Sequence, residues 1–485
     1  MELASKLKEL ANLLMKEDLE KEDIEIARKI ASEIDSDTVY VDKREMKEEF
    51  LRLTFGYDID KKIPLSSLPT MVDGIFYLRD MVSVYSVKEI VKNFPPVLGY
   101  SIDSMNEKVE YIKSLGVDKN KIGKIVENFP RVLGYSIDSM NEKVEYIKSL
   151  GVDKNKIGKV VEKFPQVLGS YSIDNMNEKV EYIKSLGVDK NKIGKVVENC
   201  PQVLGSCSID NMNEKVEYIK SLGVDKNKIG KVVEKFPQVL GSCSIDNMNS
   251  KVEYIKSLGV DKNKIGKVVE KFPQVLGSCS IDNMNSKVEY LKSLGVDNVG
   301  KVVENFPQVL GSCSIDNMNS KVEYLKSLGV DNVGKVVENF PQVLGLSIDN
   351  INRKVKYIES LGLNIGKVVE NCPQVLGYSI DNINRKLRYF IIYGTTLEYI
   401  ENNPSILSSG LYTKIIPRLR YVSSKTEGDI KKYGLDIFGL MYPSDKKFIP
   451  KLQKKGIAAD IKEYNKLLDH YKQIDKLDKI DRRDN

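Results

Sequence analysis

The chain contains no tryptophan and one histidine, His470, among 485 residues. One imidazole and no CxxC pair argue against a zinc site. No Ser/His/Asp or Cys/His arrangement is evident. No phosphate-cradling GxxxxGK[ST] and no GxGxxG after a strand occurs either. The sequence therefore predicts a protein that is not an enzyme, with no cofactor, no metal and no small-molecule substrate. Long apolar runs are missing too, and nothing approaches the roughly 18 residues that a membrane span needs. The opening stretch MELASKLKELANLLMKEDLEKEDIEIARK lacks the apolar core of a signal peptide. It is too acidic for a typical transit peptide, so a cytoplasmic location is the expectation.

Six cysteines are present. Cys207, Cys243, Cys279 and Cys313 recur at one position after Gly-Ser, and Cys200 and Cys372 take a slot that is elsewhere Phe. Equivalent positions in stacked helices should lie roughly 8–10 Å apart. A disulfide needs Cα atoms within about 7 Å. Small, buried, reduced thiols are expected.

What the chain does have is repetition. Pro95, Pro130, Pro165, Pro201, Pro237, Pro273, Pro307, Pro341, Pro373 and Pro404 recur at 31–36 residues, each three before a Leu or its equivalent. A fixed period of this size marks a solenoid or propeller. Within residues 101–134, Ser101 suits an N-cap. Ile102, Met105, Val109, Ile112 and Leu115 follow at helical spacing, and Gly116 is a natural stop. Asp118 then caps a second helix with Ile122, Ile125, Val126 and Phe129 on its apolar face. Pro130 ends that helix and can begin a short third turn. No period-2 strand pattern appears. The prediction is an all-α, right-handed or curved α-solenoid superhelix of about ten helical-hairpin repeats with helical caps. Residues 1–63 form an N-terminal cap, 64–423 the array, and 424–485 a degenerate last repeat, a charged helix and a frayed tail.

The residues then resemble a known family. Residues 201–234, PQVLGSCSIDNMNEKVEYIKSLGVDKNKIGKVVE, are similar to the repeat of the mitochondrial transcription termination factor (mTERF) family. That repeat pairs helices around Pro-x-x-Leu and closes on Leu-Gly, as at Pro165/Leu168 and Leu186/Gly187. The stretch YPSDKKFIPKLQKKGI resembles the family's last repeat. The likeness spans roughly residues 64–456. It implies an α-solenoid that binds nucleic acid, typically duplex DNA along a basic groove, in organellar transcription and related gene expression.

Charge gives the site its candidate address. Residues 341–485 hold 25 Lys+Arg against 17 Asp+Glu, whereas 1–340 hold 50 against 52. One long-helix position runs Glu107, Glu142, Glu178, Glu214, then Ser250, Ser286, Ser320, then Arg353 and Arg385. Three residues on, Glu110, Glu145, Glu181, Glu217, Glu253, Glu289 and Glu323 give way to Lys356, Arg388 and then Arg420. Positions three apart share a helix face, so one outward face turns from acidic to basic. Between them a basic column persists, from Lys108 through Lys354 and Lys386 to Arg418 and Lys451. It reads either as a phosphate track or as partners for the neighbouring Glu residues. The Tyr column from Tyr111 to Tyr389 suits inter-repeat packing better than base stacking.

The predicted nucleic-acid contacts are Arg353, Lys354, Lys356, Arg385, Lys386, Arg388, Lys414, Arg418, Arg420, Lys446, Lys447 and Lys451. The expected partner is double-stranded DNA, bound by a monomer that terminates or regulates transcription. RNA binding and a protein-binding scaffold remain the alternatives.

Overall fold

The structure, a computed structural model, describes residues 2–37, 42–56 and 66–481. Among them every regular element is helical. The array's first two residues, 64 and 65, and the tail residues 482–485 lie outside the described residues. The chain forms two compact units, residues 1–248 and 249–485.

In the first unit, helix Glu2–Leu14 packs on Lys21–Asp37 and Lys43–Phe55, and Glu2–Leu14 and Lys21–Asp37 pack on Leu68–Arg79. Leu68–Arg79, Val84–Asn93 and Pro95–Gly99 make the degenerate first repeat. The next repeat shows the common plan. Ser101 caps the long helix Ile102–Ser114 by accepting from the Ser104 N–H. Gly116, at φ 87°, ends it in the left-handed region where a Cβ is costly. Asp118 accepts from the Asn120 N–H and starts the short helix Lys119–Asn128. Phe129 is extended because the following proline disfavours αR. The third turn, Pro130–Gly134, is a 3₁₀ helix.

Met105, Val109, Ile112, Ile125, Val126, Val132 and Leu133 are buried, as the stripe predicts. Its two ends differ. Ile102 is 37% exposed, and Leu115 is half-buried while Val117 is buried beyond it. The helix ends before Leu115, so the loop, and not another turn, carries the last apolar contact.

Stacking is enforced at specific points. A Cβ on Gly158 would collide with the Gly116 carbonyl, and one on Gly194 with that of Gly151. The short helix of each repeat thus lies directly on the preceding repeat's Leu-Gly stop. Glu162 accepts from the Asp118 N–H at 3.1 Å, and Glu198 from the Asp153 N–H at 3.2 Å. Tyr111, Tyr146 and Tyr182 each donate a hydroxyl to the Asn of the following long helix at 3.3 Å. The Tyr column is therefore part of the stacking.

The second unit repeats the plan. Its long helices include Ile281–Ser293, Ile315–Ser327, Ile348–Ser360 and Ile380–Ile392. A π turn, Leu411–Ile415, then leads into Ile416–Lys425, the last long helix. The boundary expected at 423/424 falls inside that helix. Ile437–Met441, Asp445–Lys454 and Ile461–Asp481 complete the unit. None of the six cysteines forms a disulfide, and all but Cys243 are buried. No helix is long and apolar enough to cross a membrane among the described residues.

Candidate nucleic-acid interface

The basic column does neither of the things its sequence suggested. Lys179, Lys215, Lys287, Lys354 and Lys386 are all buried, with 4–7% exposure. Each ammonium is aimed at the end of the following repeat's Pro-x-x-Leu turn. Lys179 donates to Gly205 O at 2.7 Å, Lys215 to Leu240 O at 2.9 Å and Lys287 to Gly311 O at 2.8 Å. Lys354 and Lys386 donate to Leu376 O and Leu407 O. These carbonyls terminate a helical turn and have no partner within it, so a cation there satisfies them and meets the turn's negative end. Lys386 also lies 4.1 Å from the Tyr378 ring centroid. Burial pushes its pKa down to about 8.

Arg418 is the next rung of the same ladder. It is fully buried. Its guanidinium donates to Leu440 O and Pro443 O, both at 2.8 Å, and to Asp445 at 2.6 Å. It stacks over Phe448 at 4.5 Å. Lys451, half-buried, donates to Gly439 O at 2.7 Å. Lys354, Lys386 and Arg418 are thus buried structural cations and leave the candidate contacts, and half-buried Lys451 is tied to a backbone carbonyl. The signal was in the sequence: this column stays basic in every repeat while its neighbours change sign. A constant residue in a variable setting serves the constant part of the repeat.

The flanking positions behave differently. Arg353 and Lys356 on helix Ile348–Ser360, and Arg388 on Ile380–Ile392, are exposed. Among the described residues none of the three has an ion-pair partner. Their counterparts in earlier repeats are exposed acids. Glu110, Glu145, Glu181 and Glu217 each pair with a Lys one turn on, at 2.7 Å. Arg420 is exposed on the last long helix, its guanidinium 5.8 Å from the Tyr471 ring centroid. Lys446 and Lys447 are exposed on Asp445–Lys454. Lys414 is half-buried on the π turn, and burial, with Arg418 adding to it, lowers its pKa.

Arg385 occupies the strip but is engaged. Its guanidinium lies 3.2 Å from Asp478 on the last helix and 3.2 Å from Asp381, and donates to the Tyr412 hydroxyl at 2.9 Å. Burial opposes its charge, but Asp478, Tyr412 and Asp381 more than offset that, so its pKa lies above the ordinary value. The structure therefore divides the twelve candidates. Six face solvent: Arg353, Lys356, Arg388, Arg420, Lys446 and Lys447. Arg385, Lys414 and Lys451 are half-buried, and Lys354, Lys386 and Arg418 are buried.

No group of three or more His, Cys, Asp or Glu side chains is placed to hold a metal among the described residues. Helical hairpins stacked on one another through their capped turns define an all-α repeat protein. The mTERF family model matches residues 75–328 and 298–448. The chain belongs to the mTERF family, a family of nucleic-acid-binding repeat proteins. No curated protein matches it.

Proposed function

We propose that the chain binds duplex DNA through the exposed cations of its second unit and acts in transcription as a terminator or roadblock. The observation that carries this is the sign change on an unchanged scaffold. Arg353, Lys356 and Arg388 stand where earlier repeats hold exposed acids, and no carboxylate among the described residues neutralises them. Arginine supplies a planar fork of donors suited to phosphate and guanine edges, and it stands here where earlier repeats hold Glu or Ser. Five of the twelve arginines fall within residues 351–420, and three of them, Arg353, Arg388 and Arg420, are exposed.

A shift assay on random-sequence duplex across a salt series tests this, comparing the native chain with a variant in which Arg353, Lys356, Arg388 and Arg420 are all Ser. Each phosphate contact contributes about 0.9 to the slope of log K against log salt. Loss of up to four contacts should flatten the slope by about 3–4 and weaken binding across sequences. Equal binding by native and variant refutes the site. Preference for duplex RNA or single strands over matched duplex DNA refutes the choice of partner.

A further inference from the structure

The lysines of the first unit divide into two populations. On the long helices, Lys113, Lys148, Lys184 and Lys220 are tied to the Glu one turn back, at 2.7 Å. Lys179 and Lys215 are buried on carbonyls. In the Lys-Asn-Lys turns that open the short helices, the pairs Lys154/Lys156, Lys190/Lys192 and Lys226/Lys228 have no ion-pair partner among the described residues. All but the half-buried Lys156 are exposed.

The acids beside these turns form no ion pair with the turn lysines among the described residues. Asp153, Asp189 and Asp225 each accept from the Asn N–H two residues on. Glu198 and Glu234 accept from the Asp153 and Asp189 N–H groups, and the same two carboxylates take Lys195 and Lys231. The separation shows in the charge count. Segments 118–128, 153–163, 189–199 and 225–235 hold 14 Lys against 8 Asp+Glu. The long helices between them, 102–114, 137–149, 173–185 and 209–221, hold 8 Lys against 12. A near-neutral half of the chain therefore conceals a basic loop edge opposed to an acidic helix face.

The turn is also dispensable to the fold. From residue 297 the motif shortens, Asp297-Asn298-Val299 standing where the preceding repeat has Asp261-Lys262-Asn263-Lys264-Ile265. Asn298 takes over the capping, accepting from the Lys301 N–H at 2.8 Å, and the short helix Val299–Asn305 forms all the same. The two lysines are therefore not required for the hairpin, and the first unit keeps a pair in each of its Lys-Asn-Lys turns.

We propose that the Lys-Asn-Lys edge of the first unit is a second polyanion-binding surface, which engages the phosphate backbone of duplex DNA separately from the arginine strip. The proposal extends the DNA-binding reading and shares its partner. A folded acidic protein presents irregular charge. An identical cation pair at every repeat instead suits a ligand whose charge repeats. At roughly 8–10 Å per repeat, the three turns and the equivalent Lys119/Lys121 span about 24–30 Å, most of one turn of duplex.

The test uses the full chain with Lys154, Lys156, Lys190, Lys192, Lys226 and Lys228 all changed to Gln, beside the four-site Ser variant of the strip and the all-Arg version of the same six positions. Circular dichroism and melting should match the native chain. On random duplex, the Gln variant should flatten the salt slope by about 3–5 while the Arg version restores it. The strip variant should retain that share of the slope. Native-like binding by the Gln variant overturns the proposal and leaves the strip untouched. Native-like binding by the strip variant, with loss in the Gln variant, supports this edge and overturns the strip. Capture of polyglutamate in preference to duplex by the native chain also overturns the proposal, because it assigns the edge to an acidic protein.

Discussion

Changing Arg418 to Met separates the structural cations from the exposed ones. The replacement keeps most of the side-chain volume and removes only the guanidinium. Two buried carbonyls, Leu440 O and Pro443 O, lose their 2.8 Å donors, and Asp445 loses its 2.6 Å partner. Hydrogen bonds from a charged donor contribute about 1.5–3 kcal/mol each. Asp445 is 65% exposed, so its share is largely returned by water. The sum for the two carbonyls is about 3–6 kcal/mol, which overlaps the roughly 3–5 kcal/mol usual for breaking a buried charged contact from one side. A chain of this length built from repeats need not unfold in one step, so a single melting temperature would blur the effect. Hydrogen exchange read peptide by peptide resolves it. Amides of Ile416–Lys425 and Asp445–Lys454 should exchange at least about a hundredfold faster, since each 1.4 kcal/mol is a factor of ten. Peptides from Ile102–Ser114 should not change. Arg388→Met should leave every peptide unchanged and weaken duplex binding. If Arg418→Met kept its protection yet lost DNA as Arg388→Met does, the division into internal and external cations would be wrong.

Other expectations follow from the same contacts. Gly194→Ala places a Cβ against the Gly151 carbonyl, a backbone group that cannot swing aside; overpacking of about 1–3 kcal/mol should outweigh the ~1 kcal/mol helix-propensity gain, and urea unfolding of the first unit should shift accordingly. Lys386 has its folded pKa lowered to about 8 from 10.5, so between those values the unfolded chain holds a proton that the folded chain has shed. The native chain should therefore gain stability relative to Lys386→Met as pH rises from about 8 toward 10.5, and a constant difference across that window would contradict the burial of the ammonium. Asp478→Asn releases Arg385 from a carboxylate 3.2 Å away; duplex affinity at low salt should rise, and unchanged affinity would remove Arg385 from the strip.

The hairpin plan was legible because several local signals agreed. Ser101 and Asp118 cap, Gly116 stops and Pro130 breaks, each by a mechanism confined to a few neighbouring residues. The charge reversal at Arg353, Lys356 and Arg388 was legible for the same reason, since it needs only helical spacing. What sequence spacing could not supply was the direction of the residue between them. Lys354 and Lys386 sit one position from exposed arginines, and only the following repeat's unsatisfied carbonyls determine that they turn inward. The Lys-Asn-Lys lysines stand beside acids in the sequence, but they outnumber them. Which lysines those acids pair with depends on how one repeat lies against the next: Glu198 and Glu234 take Lys195 and Lys231 and leave the turn lysines without an ion pair.

Both outcomes point to a rule for assigning function in a repeat of this type. The turn that ends in Leu-Gly presents carbonyls at its end, and where the column's cation satisfies them it cannot be spared for a ligand, whereas Lys108, Lys143 and Lys321 bond within their own helices. Lys179, Lys215, Lys287, Lys354, Lys386 and Arg418 are held on such carbonyls. Positions on which the scaffold makes no demand are free to change, and there the chain changes sign at Arg353, Lys356 and Arg388 or drops the Lys-Asn-Lys turn altogether. Binding specificity in this array is therefore to be sought in the residues that vary between repeats, and stability in those that do not.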